Sequence, residues 1–588
     1  MLEVSWYKLS YDQGTLYASS SQSFIKSFQN YPDLKGIKTN LYKCFLPQAW
    51  TIGNYKCITG FVHPEGVYDD PDGGTLREKI YSKLRAHFQF INEKNLFPIA
   101  HTQTFSLNIY SNEHTQYFYS ISNLFDPITI DQSIEANSSE PVQGIKDKEN
   151  NWNIKGHQDR VIRVAVNELK LFAKLYDEEG TQPKKSRLPL LHSKQLINVL
   201  KALESNDRIR DVFDIYYSAM LDETGQQKER TIIRDTSFPQ SLVNLFYSGP
   251  HIGVSNPLFK TPRRRCESKG DYDSINLGIM DMNFEYIPRS NYKLNCSFEQ
   301  YLNKIQTTQW GEKYINHYRI IWRRRLNTSQ ERTLISTIIP PQVSYINTIN
   351  GFAVRDIKVV PFISAYFSSI VYDWFIKSTG KADLYEHACN LPIVKGKFEN
   401  ELMLRGLMLN CINKYYEYLW EECWKESFKN DSWGKYDLRL NNYYFNNLSS
   451  GLKSTFGIKN DFVRRQVLIE IDVLVSMALG LTLDDLKTMY RIQFPVLQMY
   501  EYDTWYDKNG RMIFTVNRGY NGIKLDRKEW ESVRSMQSGF VEKNYLDDTM
   551  PGGPVERTIV YEAPFDRCDR EKDYEEVWKN FEERFKSR

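Results

Sequence analysis

Cys57-Ile58-Thr59-Gly60-Phe61-Val62 reads as an apolar β-strand, and His63-Pro64-Glu65-Gly66 reads as the turn that ends it. Working outward, Asp70-Pro71-Asp72-Gly73-Gly74 marks a second turn, and residues 75–88 carry a helical pattern. Phe105-Ser106-Leu107-Asn108-Ile109-Tyr110 then alternates faces as a strand does. Strand, helix and strand in that order predict an α/β unit over residues 1–125, built as half of a doubly wound, Rossmann-like sheet. Open α/β sheets bind ligands beyond their strand ends, which makes His63 and Glu65 candidates for a binding loop. Their plainer reading is a structural turn.

The rest of the chain divides by composition. Residues 126–245 read as a linker rich in Ser, Asn, Asp and Lys followed by a helical insert. Residues 246–400 form a basic segment of mixed α+β character, with strand-like runs at 315–322 and 333–339. Residues 401–588 are helical with a charged tail from Gly539. The clearest helix is 461–479, where Phe462, Val463, Val467, Ile471, Leu474 and Ala478 make a broad apolar face and Gly480 closes it. Glu470 and Asp472 lie two apart on that helix, so they do not converge as paired acids and serve polar contacts. The apolar run 359–376 contains Asp373 and several serines, and reads as one buried helix, not a membrane span.

At 588 residues the chain exceeds one compact core. Its net charge of +3 is unremarkable, but residues 251–340 hold fourteen Lys/Arg against eight Asp/Glu. A basic middle on a near-neutral protein is the footprint of a polyanion-binding module. The eight cysteines contain no C-x-x-C pair, which argues against a zinc site and a disulfide framework. Met1 to Leu9 shows no signal-peptide pattern, so a cytoplasmic location is expected, with no membrane partner.

Two clusters, Arg263-Arg264-Arg265 and Arg323-Arg324-Arg325, are the leading DNA-contact candidates. Guanidinium groups pair bidentately with phosphates and guanine edges. The alternative is a solvated charge run or internal ion pairs. Arg289, between Tyr286 and Tyr292 in a Pro-marked loop, either clamps a nucleotide or sits in a packed turn. Arg77, Arg85 and His87 fall in the expected helix 75–88 and face DNA or solvent.

Several segments, in order, resemble the large adenine-specific DNA methyltransferases of bacterial restriction–modification and phage-defence systems. They are Thr39-Asn40-Leu41-Tyr42-Lys43-Cys44-Phe45, His63-Pro64-Glu65-Gly66-Val67-Tyr68 and Leu84-Arg85-Ala86-His87-Phe88-Gln89-Phe90. Glu331-Arg332-Thr333-Leu334-Ile335, Ile339-Pro340-Pro341 and Tyr490-Arg491-Ile492-Gln493-Phe494-Pro495 complete the set. The resemblance implies the second half of a methylase fold plus a target-recognition region, with the His63–Glu65 loop beside the target-base pocket. Family members carry, upstream of these segments, a Gly-rich loop for S-adenosylmethionine and an (Asn/Asp)-Pro-Pro-aromatic tetrapeptide; neither is found here. Asn256-Pro257-Leu258-Phe259 imitates the tetrapeptide but lies far downstream, and reads as a loop of the recognition region. No catalytic residue is therefore expected on this chain. Double-stranded DNA is the implied partner, and a complementary catalytic half is expected to hold the S-adenosylmethionine. Two alternatives stay open: a non-catalytic DNA-recognition subunit of a defence complex, and the remnant of an interrupted methylase gene.

Overall fold

The computed structural model describes residues 2–586 except 39, 138–139, 148–149, 280–283, 328–329 and 521. Thr39, at the head of one resembling stretch, thus lies outside the described residues. The chain forms two compact units, residues 1–204 with 378–380, and residues 205–377 with 381–588. The division after residue 204 differs from the boundaries at 125, 245 and 400 that composition suggested.

The first unit opens with helices α1 (Leu2–Lys26) and α2 (Leu41–Ile52). Strand β1 (Ile58–Pro64), helix α3 (Gly74–Lys83) and strands β2 (Leu84–Ile91), β3 (Thr104–Ser111) and β4 (Tyr117–Leu124) follow. Helix α4 (Ile128–Glu135), strand β5 (Ile162–Ala165) and helices α5 (Val166–Tyr176) and α6 (Gln195–Glu204) complete it. The five strands make one sheet in the order β1-β3-β2-β4-β5.

The doubly wound expectation is corrected here. Only β2 and β4 pair in parallel; the other three pairings are antiparallel. The expected helix 75–88 stops at Lys83, because Leu84 onward alternates large apolar with polar residues at the two-residue period of a strand. No crossover helix follows β2, so the chain can only return antiparallel as β3. Residues 162–165, placed in the helical insert from sequence, instead supply the edge strand β5. At the other edge, β1 leaves Ile58 and Val62 exposed.

In the second unit, β6 (Ile215–Ser218), the hairpin β7 (Lys260–Pro262) and β8 (Tyr272–Ser274), and β9 (Arg319–Arg323), β10 (Ser336–Ile339) and β11 (Ile349–Val354) precede the main helices. Four of these strands form an antiparallel sheet ordered β10-β9-β11-β6, with Ile320 opposite Ile338 on one side and Phe352 on the other. Trp322, Phe352 and Phe367 meet ring to ring at 5.6 to 5.8 Å where helix α7 (Val360–Ser368) packs on this sheet. Every residue of α7 is buried.

The single helix expected over 359–376 is two, α7 and α8 (Ile370–Ser378), bent by 62°. Polar groups stabilise the break. Arg332 donates to the carbonyls of Ser368 and Ser369 at 2.7 and 3.1 Å, and Asp472 accepts the Ile370 N–H at 2.7 Å. Helix ends buried this way need such partners. Among the described residues, no single helix is long and apolar enough to cross a membrane.

Helices α9 (Glu399–Asn410), α10 (Asp461–Ala478) and α11 (Arg570–Lys586) continue the unit. Gly406 of α9 meets the backbone of α7, where a Cβ would fall 2.2 Å from the Pro361 carbonyl oxygen. Helix α10 matches the sequence reading. The Asn460 side chain caps its start by accepting from the Val463 N–H, and Gly480 takes φ +79° beyond its end. Glu470 and Asp472 make the expected polar contacts: Glu470 pairs with Arg405 at 2.7 Å and Asp472 with Arg570 at 2.9 Å, all four buried. Breaking such a buried pair costs about 3–5 kcal/mol.

Candidate nucleic-acid interface

The hairpin β7–β8 presents the first arginine run. Arg263, Arg264 and Arg265 are 54, 58 and 89% exposed. Each is held by one carboxylate: Arg263 by Asp273 at 2.9 Å, Arg264 by Asp548 at 3.0 Å, Arg265 by Glu267 at 2.7 Å. Exposed pairs of this kind contribute about 0–1 kcal/mol, so a phosphate can displace Asp273 and Glu267 at little cost, whereas Asp548 also holds the buried Arg289.

The second run behaves differently. Arg323, at the end of β9, turns inward and donates through Nη2 to the Ile252 carbonyl. No carboxylate lies within ion-pair distance of it among the described residues, and burial pushes its guanidinium down to about 10. Arg324 and Arg325 share Asp383, at 3.7 and 3.3 Å, and only Arg325 is well exposed. One member of each run, Arg263 and Arg323, acts on Lys260 of β7. Burial lowers the Lys260 ammonium, and the charges of Arg323 and Arg263 press it further in the same direction. Sequence reasoning passed over Lys260; its signal was the place between the Asn256–Phe259 loop and Arg263. It also passed over Arg464, which stands beside Arg465 in the first turns of α10.

Arg289 is corrected as a nucleic-acid contact. Its side chain is 4% exposed, pairs with Asp548 at 3.0 Å, donates to the Pro262 carbonyl and stacks over Phe238 at 4.4 Å. Of the two readings of its loop, the packed turn holds. Tyr286 donates to the Thr549 carbonyl at 2.7 Å, and Tyr292 bonds Glu223.

The tetrapeptide-like loop is also occupied by its own bonds. Asn256 Oδ1 accepts the Leu258 N–H at 3.0 Å, and the Pro257 carbonyl accepts from the Tyr247 hydroxyl at 2.9 Å. A loop that polarises a target amine needs both of those acceptors free. Leu258 is buried and Phe259 packs edge-on to Tyr520.

In the first unit, His63 is buried and both ring nitrogens are in use, Nε2 with the Tyr110 hydroxyl at 2.9 Å and Nδ1 with the Pro64 carbonyl at 3.0 Å. Burial lowers its pKa, and Tyr42 stacks on the ring at 5.3 Å. Glu65 pairs with His87 at 3.3 Å; burial pushes the carboxyl up, but the charge and hydrogen bond of His87 outweigh it and hold it below its usual value. This loop is thus tied into the sheet by His87, which lies on β2 and not on a helix. Arg77 is buried and donates to the Lys185 and Asp70 carbonyls, while Arg85 on β2 is exposed beside Glu113.

The glycines nearest a strand-to-helix turn do not fit an S-adenosylmethionine cradle. A Cβ on Gly73 would meet Arg77 Nη1 at 2.8 Å and one on Gly74 would meet Lys185 at 3.2 Å, so their space is filled by this chain's own side chains. Gly552 and Gly553 turn the hairpin Phe540–Asp547/Val555–Glu562 at φ +99° and +105°.

No family model matches the chain, and no curated protein does. Among solved structures it is similar to the type IIG restriction endonuclease BpuSI, at 10% identity and TM-score 0.24, over 77% of this chain and 51% of that one. It is also similar to the type IIL restriction-modification enzyme MmeI in complex with DNA, at 8% identity and TM-score 0.35, over 80% and 54%. A third is a nuclease-deletion mutant of the type ISP restriction-modification enzyme LlaGI in complex with a DNA substrate mimic, at 12% identity and TM-score 0.24, over 64% and 31%. The chain spans about half the length of the first two. Superposition at these scores is loose, and the functional reading rests on the residues of this chain.

Proposed function

We propose that the chain is the DNA-binding, target-recognition part of a site-specific adenine-N6 DNA methyltransferase of a restriction–modification or phage-defence system. One observation carries the DNA-binding part: an exposed run of three arginines, two of them held only by a surface carboxylate that phosphate can replace. The methylase part, and adenine as the target, come from the resemblance of the ordered segments quoted above. Methyl transfer needs a complementary catalytic half that brings the S-adenosylmethionine loop and the Asn-Pro-Pro-aromatic motif. The free edge of β1, with Ile58 and Val62 exposed, offers that half a strand to pair with, and α1 adds exposed Trp6, Tyr11 and Leu16.

Fluorescence anisotropy with random duplex DNA at two salt concentrations tests the reading, with S-adenosylmethionine calorimetry beside it. Binding is expected to weaken steeply with salt. Converting Arg263, Arg264 and Arg265 together to glutamine should lower the log–log salt slope by roughly 2 to 3 and weaken binding at least about tenfold. Salt-independent DNA binding would overturn the recognition role, and tight S-adenosylmethionine binding by the chain alone would overturn the need for a catalytic half.

A further inference from the structure

A cavity of about 690 Å³ lies in the second unit, bounded by the loop that leads into β7, by Arg323 and Glu331, by the start of α10 and by residues 497–520. Its volume falls within the range of small-molecule sites, roughly 300–1,000 Å³. Among the described residues its lining holds eight Lys/Arg against three Asp/Glu.

Two of the three acids are ion-paired, and the charge of the third, Glu331, opposes the desolvation of Arg323 without reaching it as a pair. Asp461 is taken by Lys524 at 2.9 Å and by the Met512 N–H at 2.9 Å. Glu501 is taken by Arg465 and Arg570 at 3.0 and 2.8 Å. Glu331 accepts from Asn517 at 3.0 Å, and burial raises its pKa. Lys260, Arg323 and Arg464 are left without a carboxylate at ion-pair distance among the described residues.

Arg464 is instead spent on backbone, donating to the carbonyls of Leu409, Ile458 and Ser255. Burial lowers its guanidinium to about 10, as it does that of Arg323. Two guanidinium nitrogens of lining residues, Arg323 Nε and Arg465 Nη2, are buried with no hydrogen-bond partner. Arg465 is itself only 8% exposed.

A half-buried cation without a carboxylate, carrying a buried and unbonded nitrogen as Arg323 does, is costly, and it persists where something else compensates it. The loop that carries two of the anchoring carbonyls is itself strained: Ser255 sits at φ +44°, in the left-handed region. Aromatic rings share the same walls, with Phe259, Tyr500 and Tyr520 among the lining residues. Cations beside aromatic faces are the combination that recognises a phosphate carrying a base.

We infer that this cavity binds a nucleoside phosphate, its phosphate set among Lys260, Arg323 and Arg464 and its base among Phe259, Tyr500 and Tyr520. Arg263, Arg264 and Arg265 are not among the lining residues, so duplex binding at the surface and nucleotide binding in the cavity can be lost separately. The nucleotide comes either from solution or from DNA as an extrahelical residue; both present the same chemistry.

Calorimetric titration of the full chain with each of the four deoxynucleoside monophosphates, and with inorganic phosphate, tests the site. At least one monophosphate is expected to bind with Kd below about 1 mM. Lys260→Met and Arg323→Met should each weaken it at least tenfold, with circular dichroism unchanged. Lys260 makes no ion pair within the described residues, which keeps that variant informative about binding. Competition by a duplex with a one-nucleotide bulge, but not by a fully paired duplex, assigns the nucleotide to DNA; competition by neither assigns it to solution. No binding at about 10 mM, or binding that neither variant weakens, overturns the inference. Inorganic phosphate binding as tightly as any nucleotide overturns the nucleoside part of it.

Discussion

The two Arg-Arg-Arg runs are identical in sequence and opposite in structure. The run at 263–265 stands on a hairpin, more than half exposed at every position, and each arginine borrows one carboxylate. The run at 323–325 begins at the end of a buried strand, so its first member is drawn inward without a carboxylate and only its last is well exposed. Strand β9 makes the difference. Its pairing with β10 and β11 buries positions 319–322 completely, and Arg323 inherits the end of that environment. A cluster of charge therefore says nothing about its use until the element that carries it is known. Exposed and paired arginines are cheap to redirect toward phosphate; a half-buried one without a carboxylate is a standing cost that a ligand can relieve.

The largest expected effect lies beneath the buried side. His251 belongs to the loop that Arg323 anchors through Ile252. Its Nδ1 accepts the Ser248 N–H at 3.0 Å, so Nε2 carries the proton and donates to the Arg289 carbonyl at 3.0 Å. Burial lowers its pKa to about 4, against the opposing pull of those backbone bonds. The folded protein thus holds a neutral imidazole where the unfolded chain protonates near pH 6.5. That stability is complete above pH 6.5 and is lost as pH falls toward 4, about 3 kcal/mol in all. Hydrogen exchange of residues 246–259 should show the loss over this window, and His251→Gln, which keeps a donor for the Arg289 carbonyl, should flatten it. An unchanged slope in that variant would place the acid sensitivity elsewhere and detach the loop from the comparison.

Arg323→Met comes next, and its sign is the informative part. Its charge costs the fold stability at neutral pH because burial has pushed the group down to about 10. Methionine removes that cost and gives up one hydrogen bond, worth about 1 kcal/mol, to the Ile252 carbonyl. A net stabilisation of about 1 kcal/mol is expected, read as a higher denaturant midpoint at constant m. A destabilised variant would show that Arg323 is compensated in the free protein, and the two runs would then differ in exposure alone.

Much of the second unit was legible from local pattern. Helix α10 declared itself through a 3.6-residue apolar period and a closing Gly480, and the structure adds the Asn460 cap at its start. The sheet of the first unit was not legible to the same degree. Strand β3 showed its alternation, but nothing local in Leu84 to Ile91 names β3 and β4 as its neighbours, and the antiparallel return had to be seen. The site residues follow the same rule. Arg289 and Arg264 meet on Asp548, 259 and 284 positions away, and no window of sequence joins them. Lys260 became a candidate only once Arg323, 63 positions away, was found to act on it together with Arg263. What sequence conveyed was the basic segment; which of its cations are free is decided by long-range pairing.

The smallest effect asks whether the exposed end of the second run shares a surface with the first. Arg265 and Arg325 are 89% and 74% exposed, and their carboxylate partners are Glu267 and Asp383. Replacing either with glutamine should leave stability within about 0.5 kcal/mol, since exposed pairs contribute little. If both face the same polyanion, each substitution should cut the salt slope by roughly 0.9 and weaken DNA binding only a few-fold. Equal slopes for the two variants would extend the DNA face across both runs and soften the contrast between them. A reduced slope for Arg265→Gln with an unchanged one for Arg325→Gln would confine that face to the hairpin. The second run would then keep its inward-turned Arg323 for the cavity, with Arg324 and Arg325 left to hold Asp383.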